Sequence, residues 1–137
     1  MILDLLRPDH IQLGVHARDW RDAVCLSFAP FLQDGEVIRG YVDDVIAGVR
    51  EHGPYIVVTP HVAIPHARPE CGAHRQAIGI TVLDEPVSFG SADNDPVRYL
   101  FPVSAPTSAG HLEVLSSLVE LLSNPSFLTA LDEAGSA

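Results

Sequence analysis

The chain has 137 residues, 47% of them hydrophobic, and a formal net charge of −10, its eight basic residues all being arginine. That length suits one domain with a hydrophobic core of its own, and the lack of a cationic footprint excludes a nucleic-acid partner. No apolar run approaches the ~18 residues that a membrane span requires.

The start, Met1–Pro8, carries Asp4 and lacks the basic opening and small-residue cleavage site of a signal peptide, so a cytoplasmic location is expected. Met1–Leu6 and Ile11–Val15 are short apolar pieces split by Pro8, read as a lead-in turn and an edge strand. Asp19 offers an N-cap, with Asp22 favourable to the helix dipole. Trp20, Ala23, Val24, Ser27, Phe28, Phe31 and Leu32 then recur at helical spacing. Pro30 should kink this helix or shorten it by a turn, and Asp34-Gly35 stops it. Cys25 falls in this apolar run as a small core residue.

A second helix is predicted from Gly40 to Glu51, with Val42, Val45, Ile46 and Val49 on one face and Arg50 near its C-terminal end. A cation there suits the helix dipole whatever else it does. His52-Gly53-Pro54 ends the helix, and Tyr55–Val58 reads as a strand.

The stretch Thr59–Glu70 places His61, His66 and Arg68 among three prolines. Each proline fixes its own φ and drives the preceding residue out of helical space. Ile64-Pro65-His66 therefore reads as a short extended segment that presents His66 at a strand end. Such a placement suits anion chemistry, but a proline-rich turn with surface histidines fits the same local pattern. Cys71 beside it is read as an incidental thiol.

Ala77–Leu83 reads as a buried strand, and the loop Asp84–Pro96 carries Asp84, Glu85, Asp93 and Asp95 as a solvated face. Val97–Val103 is another strand. Ser108 is the expected cap of a helix from Gly110 to Leu122, whose first turn contains His111. Asn124-Pro125 opens a final helix through Phe127, Leu128 and Leu131. The order predicts an α/β single domain, a central mixed β-sheet flanked by helices on both faces.

Three groups could meet in such a fold: His66 at a strand end, His111 opening a helix and Arg50 closing one. A helix N-terminus offers unpaired N–H groups to an anion, and an imidazole held by an acceptor on one nitrogen is a competent nucleophile on the other. That arrangement suits a phosphohistidine carrier. The rival chemistry is a metal held by His61, His66, His74, His111 and Cys71, but their spacing matches no standard zinc pattern. There is no hydrolase nucleophile elbow, Walker A loop or dinucleotide fingerprint.

The run Gly53–Val58 followed by Ala63-Ile64-Pro65-His66-Ala67-Arg68-Pro69-Glu70 resembles the active-site region of type 2 (mannitol/fructose-type) EIIA domains. These belong to the phosphoenolpyruvate-dependent sugar phosphotransferase system, and the L-ascorbate-type branch is the most similar. Glu85–Gly90, Asp93–Val97 and Gly110–Leu115 extend the resemblance over essentially the whole chain, residues 1–137 as one domain. It implies that His66 accepts a phosphoryl group from phospho-HPr, that His111 lies beside it and stabilises it, and that Arg50 helps neutralise the phosphate; Arg68, two residues beyond His66, could add charge-assisted hydrogen bonds to the phosphate. It also implies onward transfer to a cysteine of EIIB, which would serve a membrane EIIC, with no metal or organic cofactor. A regulatory EIIA-like protein, or a domain that binds partners without carrying phosphate, shares the same pattern. Homodimerisation and the identity of the sugar stay open. His61 departs from the family pattern and is expected to point to solvent.

Overall fold

Residues 6–68 and 72–136 are described by the computed structural model of the protein. Cys71, Pro69, Glu70 and most of the predicted lead-in Met1–Leu6 lie outside them. The elements run β1 (Leu6–Val15), α1 (Trp20–Asp34), α2 (Arg39–His52), β2 (Val57–Thr59), β3 (Val62–Ala63) and β4 (Ala77–Val87). They continue with β5 (Val97–Leu100), β6 (Val103–Ser104), α3 (Ser108–Leu122) and α4 (Pro125–Ser136). The sheet order is β1-β4-β5-β3-β2, with β6 also paired to β4. β1–β4 and β3–β5 are parallel, whereas β4–β5, β4–β6 and β2–β3 are antiparallel. The predicted mixed sheet is therefore present.

β4 explains the layering. Its residues Ala77–Leu83 are all buried, as befits a strand covered on both faces. Ala77 and Leu83 point into one core with Phe28 and Phe31 of α1 and Tyr41, Val42, Val45 and Val49 of α2. Ile78, Ile80 and Val82 point the other way, into a second core with Val114 and Leu118 of α3, against which Phe127, Leu128 and Leu131 of α4 pack. The side-chain period of two thus feeds two cores from one strand. Each fully buried phenylalanine contributes about 1.5–3 kcal/mol from burial. Helices cover both faces, and among the described residues no single helix is long and apolar enough to cross a membrane.

The α1 cap forms as read. The Asp19 carboxylate accepts from the Asp22 N–H at 2.8 Å, while the Asp22 carboxylate accepts from the Arg18 N–H at 3.0 Å. Other boundaries differ from expectation. Pro8 does not split β1, because an edge strand tolerates a missing donor; the mismatch is absorbed as register shifts, one of them at Gly14, whose φ is 68°. Pro30 does not shorten α1 either. The carbonyl it leaves without an i+4 donor, Leu26 O, accepts instead from the Gln12 side-chain amide of β1 at 2.8 Å.

The strand expected from Tyr55 begins only at Val57, since Tyr55 and Val57 donate back to Gly53 and Pro54 in a turn. The strand expected over Val97–Val103 is divided in two around Phe101-Pro102. Ser108 is the first residue of α3 rather than its cap; Thr107 caps it, its hydroxyl accepting from the Gly110 N–H at 3.0 Å. Asn124 caps α4, its side-chain oxygen accepting from the Ser126 N–H at 3.1 Å.

Candidate functional site

Proline chemistry presents His66. The residues after β3 stay extended and are held on both sides: Ile64 N–H donates to Ile56 O at 2.8 Å, and Val103 N–H donates to Pro65 O at 3.0 Å. His66 is half-buried and turns its ring back on its own chain, Nδ1 lying 2.7 Å from Ile64 O. A carbonyl oxygen can only accept, so the proton sits on Nδ1 and the lone pair on Nε2. Burial pushes the imidazole below its ordinary pKa, against the opposing pull of the Ile64 hydrogen bond. The ring is therefore neutral at neutral pH, with a free nucleophilic nitrogen.

His111 stands beside it. Their ring centroids are 5.2 Å apart with planes tilted by 57°. The first turn of α3 holds His111 there, its N–H donating to Thr107 O at 3.0 Å. Burial first, and then the neighbouring His66, push its pKa down as well. Its Nε2 is buried and has no hydrogen-bond partner among the described residues. A buried, unpaired ring nitrogen is costly unless it serves a ligand. At this position a helix N-terminus adds partial positive charge.

Two tyrosines complete the frame, and neither was singled out from sequence. The Tyr41 hydroxyl, fully buried, donates to Val103 O at 2.8 Å and accepts from the Ala67 N–H at 3.1 Å. It ties the residue after His66 to β6. Tyr55 sets its ring edge-on to His66, centroids 5.9 Å apart at 90°. Room for it comes from Gly48 on α2, where a Cβ would lie 2.8 Å from the Tyr55 hydroxyl. A buried tyrosine reads as core, and a half-exposed one as surface. Only the spatial pairing exposes their part.

The two arginines are placed differently. Arg50 lies in the last turn of α2, exposed, along an open cleft between α1 and α2 that it shares with Arg18, Arg21 and Arg39. No hydrogen bond or ion pair joins Arg50 to either histidine among the described residues. Arg68 is exposed two residues beyond His66.

His61 is exposed but does not simply face solvent. It occupies the left-handed region, φ 70°, in the turn between β2 and β3, and its Nδ1–H donates to Pro96 O at 2.7 Å. Its main-chain N–H donates to Asn94 O at 2.9 Å, so this histidine fastens the turn to the loop before β5. That loop is itself organised by Asp95. Its carboxylate accepts from Ser88 Oγ and from the N–H groups of Phe89, Gly90 and Ser91 at 2.8–3.0 Å. The acidic loop is thus partly structural rather than wholly solvated. His61, His66, His74 and His111 are not gathered into a metal-ligand set among the described residues.

The fold places the chain in a class of phosphotransfer proteins, which the comparisons identify. A family model described as phosphoenolpyruvate-dependent sugar phosphotransferase system, EIIA 2, matches residues 4–137, and the chain belongs to that family. The mannitol-specific cryptic phosphotransferase enzyme IIA component of Escherichia coli K12 is 33% identical over 120 residues, 88% of this chain and 81% of that protein. The ascorbate-specific EIIA component of Shigella boydii is 35% identical over 104 residues, 76% of this chain and 68% of that protein. The solution structure of the mannitol-specific cryptic enzyme IIA CmtB from Escherichia coli matches with a TM-score of 0.86 at 30% identity. That match covers 95% of this chain and 88% of that one.

Proposed function

We propose that this protein is a cytoplasmic phosphohistidine carrier of a sugar phosphotransferase system. Nε2 of His66 takes the phosphoryl group from phospho-HPr and yields it to a cysteine of EIIB, whose partner EIIC imports a sugar of the ascorbate type. The observation that carries this reading is the Nδ1–H···O=C bond from His66 to Ile64, which leaves Nε2 unprotonated. In the acceptance step the Nε2 lone pair forms the new P–N bond as the bond from phosphorus to the donor breaks. The Nδ1 proton stays on the ring, held by Ile64 O, so the imidazole gains and loses phosphoryl without exchanging a proton there.

His111 donates from Nε2–H to a phosphoryl oxygen without bonding to phosphorus, and the first turn of α3 adds its dipole. Arg68, and Arg50 by rotation about its own long side chain, contribute positive charge from the rim. Catalysis rests on positioning and charge neutralisation.

The test is phosphorylation of the purified chain by phosphoenolpyruvate, enzyme I and HPr, with mass mapping under alkaline conditions. One phosphoryl group on His66 is expected, with none on His66→Ala. His111→Ala should still be labelled at His66 but transfer onward about 10²–10³ times more slowly. His111→Gln, which keeps a donor, should recover part of that rate. Label that survives in His66→Ala overturns the assignment.

A further inference from the structure

The cleft between α1 and α2 holds about 550 Å³, a volume typical of small-molecule sites, and neither His66 nor His111 lines it. Helical spacing builds it. Arg39, Asp43, Ile46 and Arg50 fall on one stripe of α2, and Arg21, Asp22 and Cys25 on one stripe of α1. With Arg18 just ahead of α1, four of the chain's eight arginines share one concavity in a protein of net charge −10.

Three carboxylates also line the cleft, but each is already engaged. Asp19 accepts from the Asp22 N–H as the cap of α1. Asp22 accepts from the main-chain N–H of Arg18 at 3.0 Å and from its guanidinium Nε at 3.4 Å. Arg39 stands 3.6 Å from Asp43. That leaves the guanidinium groups of Arg21 and Arg50, one from each helix, with no hydrogen bond or ion pair among the described residues. Beside them the half-buried Cys25 and Ile46 give the cleft an apolar wall. A carboxylate would bring one charge and two oxygens to this pair. A phosphate monoester brings close to two charges and three acceptor oxygens at neutral pH, and so matches two guanidinium forks better.

We propose that the α1–α2 cleft is a binding site for a small organic phosphate ester, separate from the paired histidines. Arg21 and Arg50 hold the phosphate oxygens, and the organic body lies against Cys25 and Ile46. Arg18 and Arg39 stay on their aspartates and add charge at the rim.

The experiment titrates the full chain with glucose 6-phosphate as the probe, at fixed ionic strength, and follows the amide and arginine Nε–H signals by NMR. Saturating shifts are expected at Arg18–Cys25 and Arg39–Arg50, including the Nε–H of Arg21 and Arg50. Inorganic phosphate and succinate should bind more weakly, the first lacking an organic body and the second a phosphate. Arg21→Gln, a change at an exposed residue, should weaken binding at least about tenfold, the effect of one charge-assisted hydrogen bond. The His66→Ala/His111→Ala double variant should bind as the parent does, whatever the phosphorylation assay says of His66. No saturable shift, shifts centred on His66 and His111, equal affinity for succinate or inorganic phosphate, unchanged affinity in Arg21→Gln, or loss of binding in the double histidine variant would each overturn the site.

Discussion

Replacing Tyr41 by Phe tests how the His66 segment is held. The change removes one oxygen from a fully buried ring and leaves the volume almost intact. Two hydrogen bonds go with it, the one given to Val103 O and the one received from the Ala67 N–H. Ala67 is half-buried, so its N–H is left only partly reachable by water. Stranding such a donor costs about 1–3 kcal/mol. With an unfolding entropy of roughly 2.1 cal/mol/K per residue, a loss of about 2 kcal/mol lowers the thermal midpoint by about 7 °C in a chain of this size. The same loosening lets the His66 backbone drift, and misplacement of a reacting group by a fraction of an ångström should slow phosphoryl acceptance by roughly tenfold. Thermal unfolding by circular dichroism and the rate of labelling from phospho-HPr measure the two effects. A variant that melts within a degree of the parent and labels at the parent rate would refute the idea that this hydroxyl positions the segment.

Phosphoryl acceptance should be flat with pH above about 6.5 and decline below it, with a midpoint under the ordinary histidine value, because burial depresses the His66 pKa. A midpoint above that value, followed by the ring's own NMR titration, would contradict a buried neutral imidazole. The Asp95 carboxyl is pushed up by burial but held below its ordinary value by four hydrogen bonds. Its stabilising effect is therefore complete above the unfolded carboxylate pKa near 3.9 and disappears as pH falls through the lower folded value. Asp95→Asn should lose about 1–3 kcal/mol at pH 7, with a flatter acid limb in urea unfolding; an acid limb identical to the parent's argues against it. Gly48→Ala should push Tyr55 off the edge of His66, visible as a shifted His66 ring resonance, and unaltered ring shifts would show that Tyr55 has room to spare.

Local cues carry the two histidines well. Pro65 restricts the backbone on which His66 stands, and His111 falls in the first turn of an apolar-periodic run, so neighbouring residues alone assign each to its element. Pairing them is another matter, because β3, the two-residue strand that aims His66, is shorter than any periodicity can register. Local rules also mislead where a distant side chain intervenes. Pro30 would truncate α1 in isolation, but Gln12 of β1 supplies the donor that Pro30 lacks. Tyr41 looks like one more apolar residue of α2, since nothing in its neighbourhood shows that its hydroxyl meets Ala67 and Val103. His10 and Glu36 are invisible for the same reason: one lies in a strand and the other in the turn after a helix, and only the fold brings them within 3.1 Å.

With His66 as the proposed phosphoryl acceptor, its environment balances two opposed demands. A strongly basic imidazole attacks phosphorus readily but releases it poorly, since leaving-group ability falls as basicity rises. Burial makes the ring a weaker base and so eases release to the next acceptor. The Ile64 carbonyl acts the other way: by accepting from Nδ1–H it returns electron density to the ring and supports attack by Nε2. Neither influence requires a proton to move during transfer. The neighbouring His111 is also kept neutral by burial and by its partner ring, so it can donate one hydrogen bond without fixing a full positive charge against the phosphoryl group. A permanent cation in contact with the phosphoryl oxygens would deepen the phosphorylated state and hold the group in place. On the proposed function, exposed formal charges at Arg50 and Arg68, with neutral imidazoles at the centre, would leave the phosphoryl group stabilised enough to arrive and free enough to leave.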